Sequence, residues 1–271
     1  MKLSITAWCV QKKLFGGSMT LKDFIDFAAE NGVEAVELLD CFWQDFTPEE
    51  IRQYLDEKQM RCVCYSVINN FLRADSTVEQ EIAKVKAGVD LAPTLGTDMV
   101  RVFSSRPNPA YTKEETMKVI VNSLKECADY AKAHGVTLVL ENHGAFAGSS
   151  KQAMQIISDV GSDALFINAD TGNFLVGLEE PLHGVRAVYD KLRYLHIKDV
   201  VYAQAGEPTM DGRFLEGVVV GEGIANIPGI VSVLKERGYT GYLSVEYEGI
   251  DRDCCEGTIQ CIDKMKQLLH N

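Results

Sequence analysis

Leu138-Val139-Leu140-Glu141-Asn142-His143-Gly144 runs an apolar, strand-forming segment straight into a carboxylate, an amide and an imidazole. A continuous apolar run of this kind reads as a strand covered on both faces, the habit of a parallel sheet packed against helices. Its polar end then marks the point where the strand leaves the core. The same unit repeats outward in both directions. Strand-like runs at 3–9, 33–39, 61–68, 98–103, 136–141, 165–170, 194–198 and 242–246 alternate with helical periodicity at 21–30, 48–58, 78–95, 113–133, 151–158, 181–191, 227–237 and 255–269. Thr47-Pro48-Glu49-Glu50 places an N-cap, a first-turn proline and two acids at one helix start. Gly32, Gly96, Gly135 and Gly238 each follow a helical pattern, where a left-handed residue is needed to end it.

Eight βα units in 271 residues, with no Pro/Gly/Ser-rich linker, predict an α/β fold: a closed (β/α)8 TIM barrel, with residues 1–271 as a single domain. An open doubly wound sheet would call for Gly-x-Gly-x-x-Gly after the first strand, and none stands there. The one outsized connection, 201–225, carries Gly206-Glu207-Pro208 and Asp211-Gly212 turn signals and a short β-like run at 217–220, and reads as a lid over the barrel mouth.

Composition narrows the partners. With 27 Lys plus Arg against 39 Asp plus Glu, the formal charge of -12 repels a phosphate backbone, so nucleic acid is excluded as a partner. Neither a signal-peptide pattern nor an apolar run of membrane-spanning length is present, which predicts a cytoplasmic protein without a membrane role. The eight cysteines lack paired Cys-x-x-Cys clusters, and several fall within apolar runs; reduced, mostly buried thiols are expected.

In such a barrel the carboxyl ends of all strands converge on one face, where the site is built. The second strand delivers Glu37 there, the fourth Arg101, the fifth Glu141, Asn142 and His143, the sixth Asp170, the seventh His196, Lys198 and Asp199, and the eighth Glu246 and Glu248. One acid at a strand end is commonly solvated or caps the next helix. Four adjacent strands presenting a carboxylate or imidazole at equivalent depth are not explained that way, and pooled carboxylates repel unless a cation sits between them. Glu141, Asp170, His196 and Glu246 are therefore expected to ligate one divalent ion. Three oxygens and one nitrogen suit Mn²⁺ first, with Mg²⁺, Co²⁺ or Zn²⁺ as alternatives.

These motifs, Glu141-Asn142-His143, Asp170-Thr171-Gly172-Asn173, His196-Ile197-Lys198-Asp199, Gly221-Glu222-Gly223 and Gly241 to Gly249, resemble in order those of the sugar phosphate isomerase/epimerase family of xylose-isomerase-like TIM barrels. The resemblance implies a metal-dependent isomerase or epimerase of a sugar, ketose or inosose-type polyol in carbohydrate metabolism. It matches Glu141, Asp170, His196 and Glu246 to the metal ligands, and Glu141 and Glu246 to the pair that moves a proton next to a carbonyl. A cation against the substrate oxygens would stabilise the resulting enediolate. Glu37, Arg101, His143 and Lys198 are then expected to contact substrate. So is Asn173, which stands where ketose 3-epimerases of this family carry a histidine; Ala147 stands where they carry a second glutamate. Both departures point away from a free ketose.

Lyase chemistry is the alternative on the same barrel: an inosose or dehydroshikimate dehydratase, or a deglycosylating lyase, begins with the same proton abstraction. A non-catalytic sugar-binding barrel is a further alternative. The related apurinic endonucleases hold three metals with additional histidines, whereas this chain has five histidines in all, three of them in or beside helical segments. By analogy with related barrels, the chain is expected to associate as a homodimer or homotetramer.

Overall fold

The computed structural model describes residues 1–43 and 46–270. Seven parallel strands, β1 (Lys2–Thr6), β2 (Ala35–Leu39), β3 (Arg61–Ser66), β4 (Met99–Val102), β5 (Thr137–Glu141), β6 (Leu165–Asp170) and β7 (Leu192–Ile197), are followed by an antiparallel excursion. The excursion consists of β8 (Asp199–Ala203), β9 (Glu207–Pro208) and β10 (Phe214–Val218), after which β11 (Tyr242–Val245) pairs with both β7 and β1 and closes an eight-stranded barrel. The predicted (β/α)8 barrel is the observed fold.

Local chemistry accounts for the boundaries. Thr20, Thr47, Thr77, Thr112 and Ser149 each cap a helix through a reciprocal capping box, which satisfies two backbone donors at each start. The four predicted helix-ending glycines have φ between 65° and 79°, a region that disfavours any side chain. Strand β1 is shorter than predicted: the apolar residues 7–10 form a 3₁₀ turn, Ala7–Val10, with Ala7, Cys9 and Val10 buried, so apolarity there reflects packing rather than extension. The helix predicted over 78–95 ends at Leu91, ahead of Pro93. All eight cysteines are free, six of them buried. Among the described residues, no helix is long and apolar enough to cross a membrane.

Strand alternation sorts the barrel interior into rings, because every second residue points the same way. The lower ring is apolar: Ala35, Cys64, Val139 and Tyr194 are buried together, with Met99, Phe166 and Tyr242 against them. Two residues further along the same seven strands stand Glu37, Ser66, Arg101, Glu141, Asn168, His196 and Ser244, every one of them buried. One more step on β6, and past the ends of β7 and β11, stand Asp170, Lys198 and Glu246. Register shifts fall at Val36/Glu37 and Ile167/Asn168, the kind of bulge that re-aims side chains beside a site.

Candidate metal centre

His196 is the hub of the polar rings. Its Nδ1 lies 3.0 Å from Glu246 Oε2, 3.6 Å from Glu141 Oε2 and 3.9 Å from Asp170 Oδ2. Donor atoms of Glu141, Asp170 and His196 all lie within 4.8 Å of one another, a spread compatible with metal–ligand bonds of about 2.0–2.5 Å around one ion. On the other side of the ring, Nε2 is 2.8 Å from Glu37 Oε2. Glu37 is itself fixed by donation from the Ser66 hydroxyl and from Tyr194 Oη at 3.0 Å. A carboxylate on Nε2 selects the tautomer that donates there and leaves Nδ1 as the ligating nitrogen.

Each neighbouring carboxylate is divided between a structural and an inward-facing oxygen. Asp170 Oδ1 accepts from the backbone N–H of Asn173 at 2.8 Å and caps the helix Thr171–Val176. Its Oδ2, buried and without a hydrogen bond among the described residues, faces the cluster, as does the similarly unbonded His196 Nδ1. Glu141 Oε1 accepts from Asn173 Nδ2 at 3.0 Å, while Oε2 lies 3.3 Å from Arg101 Nε and 3.4 Å from Asn168 Nδ2. Lys198 Nζ stands 3.1 Å from each of Asp170 Oδ2, Glu246 Oε1 and Glu248 Oε2.

The charges do not balance. Among the described residues, Glu37, Glu141, Asp170, Glu246 and Glu248 face Arg101 and Lys198 as permanent cations, five carboxylates against two. Titration responds accordingly. Burial pushes the Asp170 carboxyl up to about 7, against the pull of Lys198, and burial likewise raises Glu141 against Arg101 and His196. Burial acts upward on Glu246 too, but the Lys198 and His196 charges outweigh it and hold that carboxyl well below its usual range. Burial alone would lower His196, yet Glu37 and Glu246 raise it well above an ordinary imidazole. Protons thus gather where a cation would sit; a divalent ion would displace them and offset the excess negative charge. Two buried atoms held by ion pairs without a hydrogen bond, Asp170 Oδ2 and His196 Nδ1, and an all-oxygen-plus-imidazole donor set make these residues a fit for such an ion.

The residues named from sequence separate by depth. Glu141, Asp170 and His196 bring donor atoms together, Glu246 reaches the same His196 ring, and Lys198, Arg101 and Asn173 stand against them. Glu37, expected at the substrate, lies fully buried beneath His196. Asn142 faces sideways: its amide exchanges hydrogen bonds with the Asp170 backbone, Oδ1 accepting at 2.6 Å and Nδ2 donating at 3.1 Å, and so locks β5 to β6. His143 lies against Phe103, ring centroids 4.9 Å apart. Burial and the nearby Lys198 push its imidazole down to about 4, so it is neutral at physiological pH.

A cavity of about 130 Å³ opens above these groups, lined by Arg101, Glu141, His143, Asn173, Lys198 and Glu246, with Trp8 on the rim. Trp8 Nε1 donates to Glu248 Oε1 at 2.5 Å. Glu207 reaches the same cavity from β9, which bears out the excursion as a cover for the mouth. Arg101 Nη1 is buried without a hydrogen-bond partner among the described residues, a donor available to a polar ligand.

Three contributors received no role from the sequence. Asn168 sits inside an apolar run, and only its two-residue offset from Asp170 signals that it faces inward. Ser66 and Tyr194 support Glu37 and carry no distinctive signal. Asp199, named from sequence at the end of the seventh strand, accepts from the backbone N–H groups of Gly221, Gly223 and Ala225 at 2.8, 3.1 and 3.0 Å. A Cβ on Gly223 would collide with that carboxylate, which explains the second glycine of Gly221-Glu222-Gly223.

The chain is 24% identical over 256 residues to an inosose dehydratase of Lacticaseibacillus casei, covering 86% of this chain and 84% of the relative. It is 26% identical over 238 residues to an inosose isomerase of Halalkalibacterium halodurans, covering 84% and 83%. Among solved structures it superposes on the IOLI protein with a binding zinc atom, with a TM-score of 0.82, 20% identity and coverage of 99% and 98%. The profile of the xylose isomerase-like TIM barrel family matches residues 25–265. Over nearly its whole length, then, from the helix after β1 to the last turns of the final helix, this chain belongs to the xylose isomerase-like TIM barrels.

Proposed function

We propose that the protein is a divalent-metal-dependent lyase that dehydrates a cyclic polyol ketone of the inosose or dehydroshikimate type. The observation that carries a metal-dependent reaction is the grouping of Glu141, Asp170 and His196 donor atoms within 4.8 Å of one another, with Glu246 3.0 Å from the His196 ring, at the barrel mouth. The dehydratase among the curated relatives, matched over 86% of this chain, supports elimination as the outcome. Asn173 and Ala147, in place of the histidine and glutamate expected of a ketose 3-epimerase, support a ring substrate over a free ketose.

Glu141, Asp170, His196 and Glu246 would hold the ion, which when bound supplies positive charge against the carbonyl and hydroxyl oxygens of the substrate. Glu246, kept ionised by Lys198 and His196, takes the proton from the carbon next to the carbonyl. Glu141, across the cluster from Glu246, would relay a proton to the departing β-hydroxyl, so that the proton taken from carbon is balanced by the one that leaves with the hydroxyl as water. The C–H and C–O bonds break, a C=C bond forms, and water leaves. Lys198, Arg101 and Asn173 orient the hydroxyls, and Glu37 holds the His196 ring.

Isomerisation is the second reading, supported by the inosose isomerase relative, and it shares the proton abstraction. Incubating Mn²⁺-loaded protein with scyllo-inosose, 3-dehydroshikimate and D-fructose in deuterated water separates the two. An unsaturated product supports elimination; deuterium at one carbon of an otherwise saturated product supports isomerisation and rejects the lyase reading. Glu246→Gln is expected to lower either rate by at least about 10²-fold, and a variant that still exchanges deuterium at the wild-type rate would remove Glu246 from proton transfer.

A further inference from the structure

Beside the metal cavity lies a second pocket of about 290 Å³, walled by the loops that follow β3 and β4. The two share Ile68, Phe103, Arg106 and His143 in their linings, so one ligand can extend from one into the other. Their charges differ sharply. Four carboxylates, Glu141, Glu207, Glu246 and Glu248, line the metal cavity against the cations Arg101, Lys198 and the shared Arg106. The second pocket has Arg73 and Arg106 in its wall and no carboxylate among its lining residues, in a chain of net charge -12.

The two guanidiniums are not equivalent. Arg73 is already engaged, with Nε 3.5 Å from Glu81 and 3.8 Å from Asp75. The Arg106 side chain is exposed and, among the described residues, has no ion pair. Ser104 also lines the pocket, and its buried hydroxyl has no hydrogen-bond partner among the described residues. The wall is held rigid. Asn69 bonds Phe103 in both directions, at 2.9 and 2.8 Å, and Asn70 Oδ1 accepts from Ser105 Oγ at 2.7 Å and from the Arg106 N–H at 3.0 Å. Those contacts leave the Asn70 amide nitrogen available as a donor. A preorganised cationic recess with uncommitted donors binds an oxyanion without paying to order its own loops.

We propose that this pocket is an anion subsite, which takes an acidic substituent, carboxylate or phosphate, of the substrate whose ring lies in the metal cavity. The proposal rests on the metal cavity being the reaction site, and it narrows the substrate from polyol ketones in general to those bearing an anionic group. The carboxylates above the metal centre would turn that group away, so it enters on the Arg106 side and sets which ring carbon faces Glu246.

The test is calorimetric titration of the full-length protein with inorganic phosphate and, separately, with cyclohexanecarboxylate. Saturable binding of either is expected, weakened at least fivefold in Arg106→Gln and partly restored in Arg106→Lys, where the charge remains and the planar fork is lost. Binding of phosphate alone assigns a phosphoryl substituent; binding of the carboxylate alone assigns a carboxylate. No saturation by either probe, or equal affinity in wild type and Arg106→Gln, overturns the subsite. Arg106 makes no side-chain contact that the fold depends on, and circular dichroism of the variant checks this. Because the readout is binding, Arg106-sensitive titration in a protein that forms no unsaturated product would reject the lyase reading and leave the subsite standing, whereas turnover without such titration would do the reverse.

Discussion

Val139 and Glu141 are two residues apart on β5, as Tyr194 and His196 are on β7, yet one of each pair belongs to an apolar ring and the other to a polar one. The lower ring is held by contacts among Ala35, Cys64, Val139 and Tyr194. The ring above it is held by hydrogen bonds and ion pairs among Glu37, Arg101, Glu141 and His196 and their polar neighbours. Because a strand advances only about 7 Å over two residues, stability and chemistry are separated by a single step of the pleat. The lower ring can be solid because the upper one has somewhere to send its excess charge, namely the open mouth and the ion expected there.

Substitutions in the two rings should therefore have effects of different kinds. The largest is expected for His196→Ala, which removes the hub: affinity for Mn²⁺, measured by titration calorimetry, should fall by more than about 100-fold. Retained tight binding would mean that the carboxylates alone make the site. Glu37→Gln reaches the same nitrogen at one remove. It should weaken Mn²⁺ binding by about 10- to 100-fold without abolishing it, and an unchanged affinity would reduce Glu37 to a buried filler. The smallest effect on the site is expected for Val139→Ala in the ring below, which should cost about 1–3 kcal/mol in denaturant unfolding while Mn²⁺ affinity stays within about twofold. A parallel loss of affinity there would show that the two rings are not separable.

Much of this was legible in the sequence, for reasons particular to each element. Alternating apolar runs and capped helices specified the barrel, because each strand is covered on both faces and each helix start carries its own donors and acceptors. Four candidate ligands stood out because charged residues ended otherwise apolar strands at matching positions. Depth was not legible. Glu37 and Glu141 look alike at strand ends, and only the closed barrel shows that one lies under the His196 ring and the other beside it. Asn168 was hidden by its apolar neighbours, since alternation assigns a face and says nothing about what the opposite strands bring to it. The role of Asp199 was not legible because its partners, the N–H groups of Gly221, Gly223 and Ala225, are backbone atoms that no side-chain pattern records. Glu207 depended on where the excursion folds back, which is a matter of turn geometry far from the barrel strands.

Asp199 has a consequence for how this protein can change. By gripping residues 221–225 it ties the exit of the β8–β10 excursion to its entrance, directly after Lys198. The excursion is thereby a cassette clamped at its base, whose tip between Ala203 and Phe214 brings Glu207 to the cavity and supplies none of the four converging ligands. Variation in that tip redraws the roof over the reacting ring while the floor beneath it keeps its shape, so selectivity can drift across generations of sequence without the barrel having to be refitted.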